Sequence, residues 1–398
     1  MSEGGPATPR GEQLAGGVDA KAVLAWLRER TGEMTELLTR LARAESPSLE
    51  PDAQGEAFSI LEGELTGLGL SVERLPGGES GDHLLAGAAN EGGSFQLLLG
   101  HLDTVWPLGT LSEMPVQARD GMLYGPGVFD MKGGLVQMIF ALRALAGLGL
   151  DPSCAPVVLV NSDEEIGSGD SRAHIERLSG QAARALVLEP SFGPGGRLKT
   201  ARKGVGRFTV TIRGRASHAG LDPEGGRSAI LEASHQVQRL FGLNDPGRGV
   251  TVNVGTIDGG LRPNVVAPQA VAEVEARVVT ADDARRLERQ VRELRAVTEG
   301  VSLEVEGGFG RPPLERTPRN RALWELARAA STELGIEIGE ALVGGASDGN
   351  IASAFTATLD GLGAVGDGAH AEHEHVIVDR MPERAALLAL LLTSPARR

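Results

Sequence analysis

Cysteine is almost absent: the 398-residue chain has one, Cys154. A lone thiol cannot close an internal disulfide, so the composition is compatible with a reducing compartment. Cys154 reads as a small buried hydrophobe on the approach to a strand. Positive charge is also in the minority, with 39 lysines and arginines against 53 acids and a formal net charge of −14. That balance argues against nucleic acid or an anionic membrane surface as the main partner. It leaves room for an anionic small substrate, because local arginines can outweigh the global charge. Residues 1–20 lack the continuous apolar stretch of an export signal and read as a flexible tail. No apolar run approaches the roughly 20 residues of a membrane helix. The expectation is a soluble, cytoplasmic protein.

What is present suits a packed enzyme. The hydrophobic fraction is 41%, and 56 glycines imply many tight turns and close backbone approaches. The length exceeds one ordinary core, so two domains are expected. Val23, Leu24, Trp26 and Leu27, then Met34, Leu37, Leu38 and Leu41, recur at helical spacing, and a second helix follows over 57–68. From there to about residue 200, short apolar runs alternate with helical patterns, the signature of βαβ units. A helix over 135–148 follows Lys132-Gly133-Gly134, which places Asp130 in a strand-to-helix turn.

The pattern changes near residue 204. A strand at 206–213, a helix at 228–241, strands at 250–257 and 270–279, a charged helix at 281–297 and a strand at 302–306 give the order β-α-β-β-α-β. That order is the ferredoxin-like split βαβ arrangement. After Arg311-Pro312-Pro313 the α/β pattern resumes, with helices at 321–334 and 382–392. The expected organisation is a discontinuous α/β domain over 21–204 and 313–398, with a mixed, largely parallel sheet, and an inserted α+β domain over 205–312. Insertion is tolerated because the two ends of the insert lie close together.

Five acid and imidazole residues each sit just past a short apolar run. They are His101 in QLLLGHLD, Asp130 in YGPGVFDMKGG, Glu165 in PVVLVNSDEE, Glu189 in ALVLEP and His370 in LGAVGDGAH. Such runs read as buried parallel strands, and ligands bind beyond their carboxyl ends. Nitrogen and oxygen ligands converging on one sheet edge are what a zinc site requires, so the pattern points to a metal hydrolase. In extended chain, His101 and Asp103 share a face; Asp103 can accept the imidazole N–H and turn the other nitrogen toward a metal. By itself the triplet also fits a capped turn. The adjacent Glu164 and Glu165 repel unless a cation or shared proton relieves them. A metal on one leaves the other to move protons, whereas a solvated acidic turn is the alternative. Glu189 alone would be a surface acid. His373 and His375 compete with His370 by residue type, but His370 lies nearest the apolar run in a glycine-rich stretch, and the other two read as solvent-facing.

The segments GHLDTV, YGPGVFDMKGG, SDEEIGS, VLEP, ARKG, ASHAG, PNVV, EARV and the terminal GAH together resemble the co-catalytic zinc metallopeptidases and deacylases. That family holds glutamate carboxypeptidase, acetylornithine deacetylase, succinyl-diaminopimelate desuccinylase, aminoacylase and peptidase T. RKGVGRF followed by RGRASHAG is most similar to the glutamate carboxypeptidase branch, which cleaves C-terminal glutamate from folates and related amides.

The resemblance implies a zinc-peptidase-like catalytic domain holding two Zn2+ per chain, with Co2+ or Mn2+ as possible substitutes. Asp130 would bridge the ions, His101 and Glu189 would complete one site, and Glu165 and His370 the other. Glu164 would be general base and acid toward a bridging water, and Asp103 would orient His101. It also implies a homodimer through the inserted domain, which acts as a lid. His218 of ASHAG would reach the partner's site to stabilise the oxyanion. Arg277, Asn264 and Arg311 match substrate-contacting positions, and arginine suits a carboxylate. The segment GGASDGN (344–350) would form a pocket wall. The substrate would be a small peptide or N-acyl amino acid cut at an amide next to a free carboxylate.

Two residues depart from the branch. Met131 follows Asp130 where the glutamate carboxypeptidases usually carry a second aspartate, a D-M-K-G form more like the deacetylase branch, and Ala371 follows His370 where serine is frequent. An N-acyl amino acid deacetylase is therefore the alternative within the class. A dinucleotide-binding oxidoreductase, suggested by the GPGVFD turn, lacks the usual glycine fingerprint. A binding protein without catalysis conflicts with the complete ligand set and Glu164.

Overall fold

In a computed structural model of the chain, residues 18–87 and 94–396 are described; most of the tail read at 1–20 lies outside them. The chain divides into two compact units. One comprises the described residues up to Thr200, Arg316–Ala341 and the residues from Ile351 onward; the other comprises Ala201–Glu315 and Leu342–Asn350.

The first unit begins with two helices where the apolar spacing reads as one. Asp19 caps Ala20–Arg28 by accepting from the backbone N–H groups of Lys21 and Ala22. The chain breaks at Arg30 (φ −110°, ψ 16°) before Thr31–Arg43. The Arg30 guanidinium covers the Trp26 ring and donates to the Trp26 carbonyl, holding that break. Apolar positions stay on one face across the break, which is why periodicity misses it.

A six-stranded sheet follows in the order Val72–Leu75, His83–Ala86, Ala155–Asn161, Phe95–His101, Arg184–Val187, Ala357–Leu359. The first two strands are antiparallel to their neighbours and the last four run parallel. Successive side chains point to opposite faces. Leu98, Val158, Val160 and Leu186 join a core with the helices, while Leu97, Leu99, Val157, Leu159 and Val187 join another on the far side with Ile175 and Leu178. Both faces are covered, so the strands read as continuous apolar runs.

The segment Val128–Leu148 is long and apolar enough to cross a membrane, contrary to the run-length reading, yet it is 78% buried inside the protein. Its helix, Gly133–Leu148, packs on Met381–Thr393 and serves as the central core helix. Gly134 lets its start meet the sheet edge: a Cβ there would lie 2.0 Å from the Leu188 carbonyl oxygen. A small antiparallel sheet, in the order Gly366–Asp367, His375–Ile377, Met122–Tyr124, Gln117–Arg119, flanks the same edge.

The second unit has a four-stranded antiparallel sheet, Thr251–Gly259, Gln269–Val278, Gly204–Arg213, Ser302–Arg311, with helices Ala229–Phe241 and Ala281–Arg292. In chain order this is β-α-β-β-α-β, the ferredoxin-like arrangement. Phe208, Val210, Ile212, Ala272, Val274, Leu240 and Leu287 form its core. The charged helix stops at Arg292 rather than 297, because Glu232 captures the backbone N–H groups of Val297 and Thr298. The last strand runs on past 306 to Arg311. Gly307 there adopts φ +89°, and a Cβ would meet the Arg207 carbonyl oxygen at 2.2 Å. Glycine thus hides a continuing strand from the alternation.

Candidate metal centre

Parallel pairing brings His101, Glu164, Glu165 and Glu189 to one edge. Asp130 and His370, also expected past parallel strands, come instead from turns that follow strands of the small antiparallel sheet. His101 ends its strand opposite Asn161, so Glu164 and Glu165, just beyond Asn161, emerge beside it. On the other flank the Leu188 N–H donates to the Leu99 carbonyl at 2.9 Å, which sets Glu189 next to the same end. Asp130 comes from the turn Val128–Lys132, ahead of the helix that Gly134 seats against Leu188. His370 reaches the site from a turn in which its own φ is +60°. A non-glycine residue held in that region usually has a reason to be there.

Three of the four imidazole–carboxylate distances nearly coincide. His101 Nε2 lies 3.4 Å from Asp130 Oδ1 and 3.5 Å from Glu189 Oε1. His370 Nε2 lies 3.5 Å from Asp130 Oδ2 and 3.1 Å from Glu165 Oε2. Two ligand atoms about 2.0–2.2 Å from one zinc at tetrahedral angles stand about 3.3–3.6 Å apart. The three longer separations have that spacing, with one Asp130 oxygen toward each imidazole, while His370 and Glu165 stand at hydrogen-bond distance. Buried His101 Nε2 has no hydrogen-bond partner, as an imidazole awaiting a ligand should. One donor atom each from His101, Asp130 and Glu165 lie within 4.8 Å of one another, as do one each from His101, Glu164 and Glu189. Glu164 thus reaches the same space as the other acids.

Charge supports the fit. Burial lowers the His101 pKa, but Asp103, Asp130 and Glu189 outweigh it and hold it well above the usual range. Hydrogen bonds to Asp130 and Glu165 push His370 up to about 10. Burial alone would raise Asp130, yet the two imidazoles hold it far below the carboxylate range. Burial raises Glu165, against the pull of His370. The acids demand positive charge here, and protonated imidazoles or divalent cations can supply it.

Neighbouring groups fix the set. His101 Nδ1 lies 3.0 Å from the Asp103 carbonyl oxygen and 3.4 Å from its Oδ1. The buried Asp103 carboxylate also accepts from Ser48 Oγ at 2.7 Å and from the backbone N–H groups of Glu164 and Glu165 at 3.3 and 3.2 Å. It therefore orients the acidic pair as well as the histidine. Met131 is buried and its thioether accepts from the His101 N–H at 3.2 Å. His373 is exposed, and His375 stacks on Tyr124 at a ring-centroid distance of 5.1 Å.

Sequence reasoning missed two residues at this edge. Lys199 Nζ lies 3.6 Å from Glu189 Oε2. The Glu374 carboxylate is wholly buried and accepts from backbone N–H groups of the Asp130 turn. The only cue to Glu374 is its place four residues after His370 in GAHAEHEH.

His218, Asn264, Arg277 and Arg311 lie in the second unit. His218 is exposed; its Nδ1 accepts from the N–H groups of Gly220 and Leu221 at 3.1 and 3.2 Å, so a neutral ring carries its proton on Nε2. The Asn264 carbonyl accepts from the Ala219 N–H at 3.0 Å, which sets His218 and Asn264 on adjacent loops. Arg277 pairs with Glu275 at 2.8 Å and donates to the Gly344 carbonyl, while Arg311 Nη2 lies 3.6 Å from Asp348 Oδ1. The glycine-rich stretch 344–350 belongs to this unit, anchored by Asn350 to the Lys203 and Pro312 carbonyls.

Known proteins are similar to this chain. Carboxypeptidase G2 of Pseudomonas sp. (strain RS-16) is 29% identical over 364 residues, 89% of this chain and 87% of the relative. A succinyl-diaminopimelate desuccinylase of Paracidovorax citrulli is 27% identical over 355 residues, 83% of this chain and 90% of the relative. Among solved structures, aminopeptidase PepT of Bacillus cereus matches with a TM-score of 0.71 and 22% identity, over 93% of this chain and 99% of its own. The YXEP protein of Bacillus subtilis, described as a dinuclear metal binding peptidase, matches with a TM-score of 0.64 and 15% identity, over 93% of this chain and 98% of its own. A model of one peptidase family covers residues 97–394, from within the His101 strand to just past the last helix. The chain belongs to peptidase family M20/M25/M40, a family of metallopeptidases and related amidohydrolases.

Proposed function

We propose that the protein is a two-zinc exopeptidase that cleaves an amide bond next to a free carboxylate, as in peptidyl- or N-acyl-glutamate. The observation that carries this reading is Asp130, whose two oxygens each face a different imidazole at ligand–ligand spacing. His101 and Glu189 would hold one ion, His370 and Glu165 the other, and Co2+ or Mn2+ could substitute. The ions would polarise the scissile carbonyl and acidify a water.

The remaining chemistry falls to side chains. Glu164 would take the proton from the attacking water and deliver it to the departing amine nitrogen as the C–N bond breaks, leaving a carboxylic acid and an amine. Asp103 would keep the His101 proton on Nδ1 and the acidic pair in place. His218, with its proton on Nε2, would donate to the oxyanion in the partner subunit. Arg277, Asn264 and Arg311 would bind the substrate's free carboxylate.

In this reading 21–204 and 313–398 form the catalytic domain, and 205–312 the dimerisation and lid domain of a cytoplasmic homodimer. Met131, in place of a second acid, and the resemblance to desuccinylases favour a second reading, an N-acyl amino acid deacetylase. Metal analysis of the purified protein, with turnover of folyl-glutamate against N-acetylornithine and N-succinyl-diaminopimelate, separates the two. Fewer than two bound ions per chain would sink the two-zinc model; faster hydrolysis of the acyl diamino acids would replace the exopeptidase reading.

A further inference from the structure

Glu374 is wholly buried, and burying a carboxylate is costly unless donors surround it. Four do. Its Oε1 accepts from the N–H groups of Phe129 at 2.9 Å and Asp130 at 3.0 Å. Its Oε2 accepts from the Gly127 N–H at 2.9 Å and from the indole Nε1 of Trp106 at 2.9 Å.

The backbone of Glu374 is tied in as well. Its N–H donates to the Ala371 carbonyl, and the Ala371 N–H to that of Gly368, which closes the turn carrying His370. Its carbonyl accepts from the Gly125 N–H at 3.2 Å, and the next residues pair as a strand with Met122–Tyr124.

We propose that Glu374 is the positioning residue of the metal centre: it locks the turn presenting Asp130 to the turn presenting His370, so that both reach one ion at the required spacing. The inference rests on the two-zinc reading. The side chain faces backbone N–H groups rather than either imidazole, so Glu374 acts through Asp130 and His370 and touches no reacting atom. Residues that orient metal ligands from behind typically change metal affinity about 10–100-fold when replaced. A buried carboxylate serving only the fold would change stability and leave affinity alone.

The test is Zn2+ binding to metal-free Glu374→Gln protein by competition with a chromophoric chelator, beside its melting temperature and the visible absorption of the Co2+-loaded form. The amide keeps the size but turns N–H donors toward N–H donors. Expected are affinity weaker by about tenfold or more for at least one equivalent and an altered Co2+ spectrum. Unchanged affinities and spectrum overturn the proposal, whatever the melting temperature does. If Glu374→Gln yields no folded protein, Trp106→Phe decides by the same measurement: it removes one of the four donors and should weaken binding to a lesser degree, and no change sinks the clamp. Wild-type protein that takes up no zinc would instead refute the two-zinc reading, which keeps the two failures apart.

Discussion

The strand-end residues of the first unit and the polar candidates of the second are built in opposite ways. His101, Glu165 and Glu189 inherit their positions from parallel strands whose ladder fixes where each one ends. They are buried or nearly so, and their spacing suits bonds of fixed length. His218 and Asn264 sit on exposed loops, and Arg277 and Arg311 already have acidic neighbours. Metal ligation tolerates little positional error, and a strand register sets three of the five candidate ligands, while turns supply Asp130 and the half-exposed His370. Recognition of a flexible substrate tolerates more, and loops can supply it.

The sharpest way to test that contrast is Glu164→Ala. Turnover should fall by about 100-fold to 10,000-fold while bound metal is unchanged; loss of an ion along with the activity would make Glu164 a ligand instead of a proton carrier. His218→Ala comes next, with kcat lower by about 100-fold. Mixing it with Glu164→Ala subunits should restore part of the activity through mixed dimers, and mixtures as inactive as their parents would remove the action in trans. Arg311→Lys should raise KM by about tenfold with little change in kcat, since an ammonium cannot make the bidentate contact. An unchanged KM would take Arg311 out of the substrate site.

The smallest effect concerns the second unit's own fold. Burial would raise the Glu232 pKa, but the Val297 and Thr298 N–H groups and Gln236 hold it at about 2, below the ordinary 4.5. A depressed carboxylate stabilises the fold above about pH 4.5, and that contribution is lost as the pH falls toward 2. Glu232→Gln should therefore cost about 1–3 kcal/mol at pH 7, and the gap to wild type should shrink to roughly half at pH 3. A gap equal at both pH values would refute the charge-based account.

The parallel core, the ferredoxin-like element order and the acids at strand ends were legible because burial on both faces writes apolar runs into a sequence. The break at Arg30 was not, since its apolar face continues across it. Nor was the strand past Gly307, because glycine erases alternation without ending the ladder. Glu374 was hidden for another reason: three of its four donors are backbone N–H groups, which carry no residue identity, and they lie 244 to 247 positions away. Met131, a departure by motif, proved to be a packed thioether behind His101.

That separation has a consequence for the order in which the chain is made. Asp130, Glu165 and Glu189 leave the ribosome long before His370 and Glu374, and domains generally fold from the N-terminal side during synthesis. For that interval the acids stand together without the last imidazole or the lock on the Asp130 turn. Stalled nascent chains ending before residue 370 should retain fewer zinc ions than the released protein, and equal retention would contradict this. Metal retention is thus expected to rise only once the turn carrying His370 and Glu374 has been made.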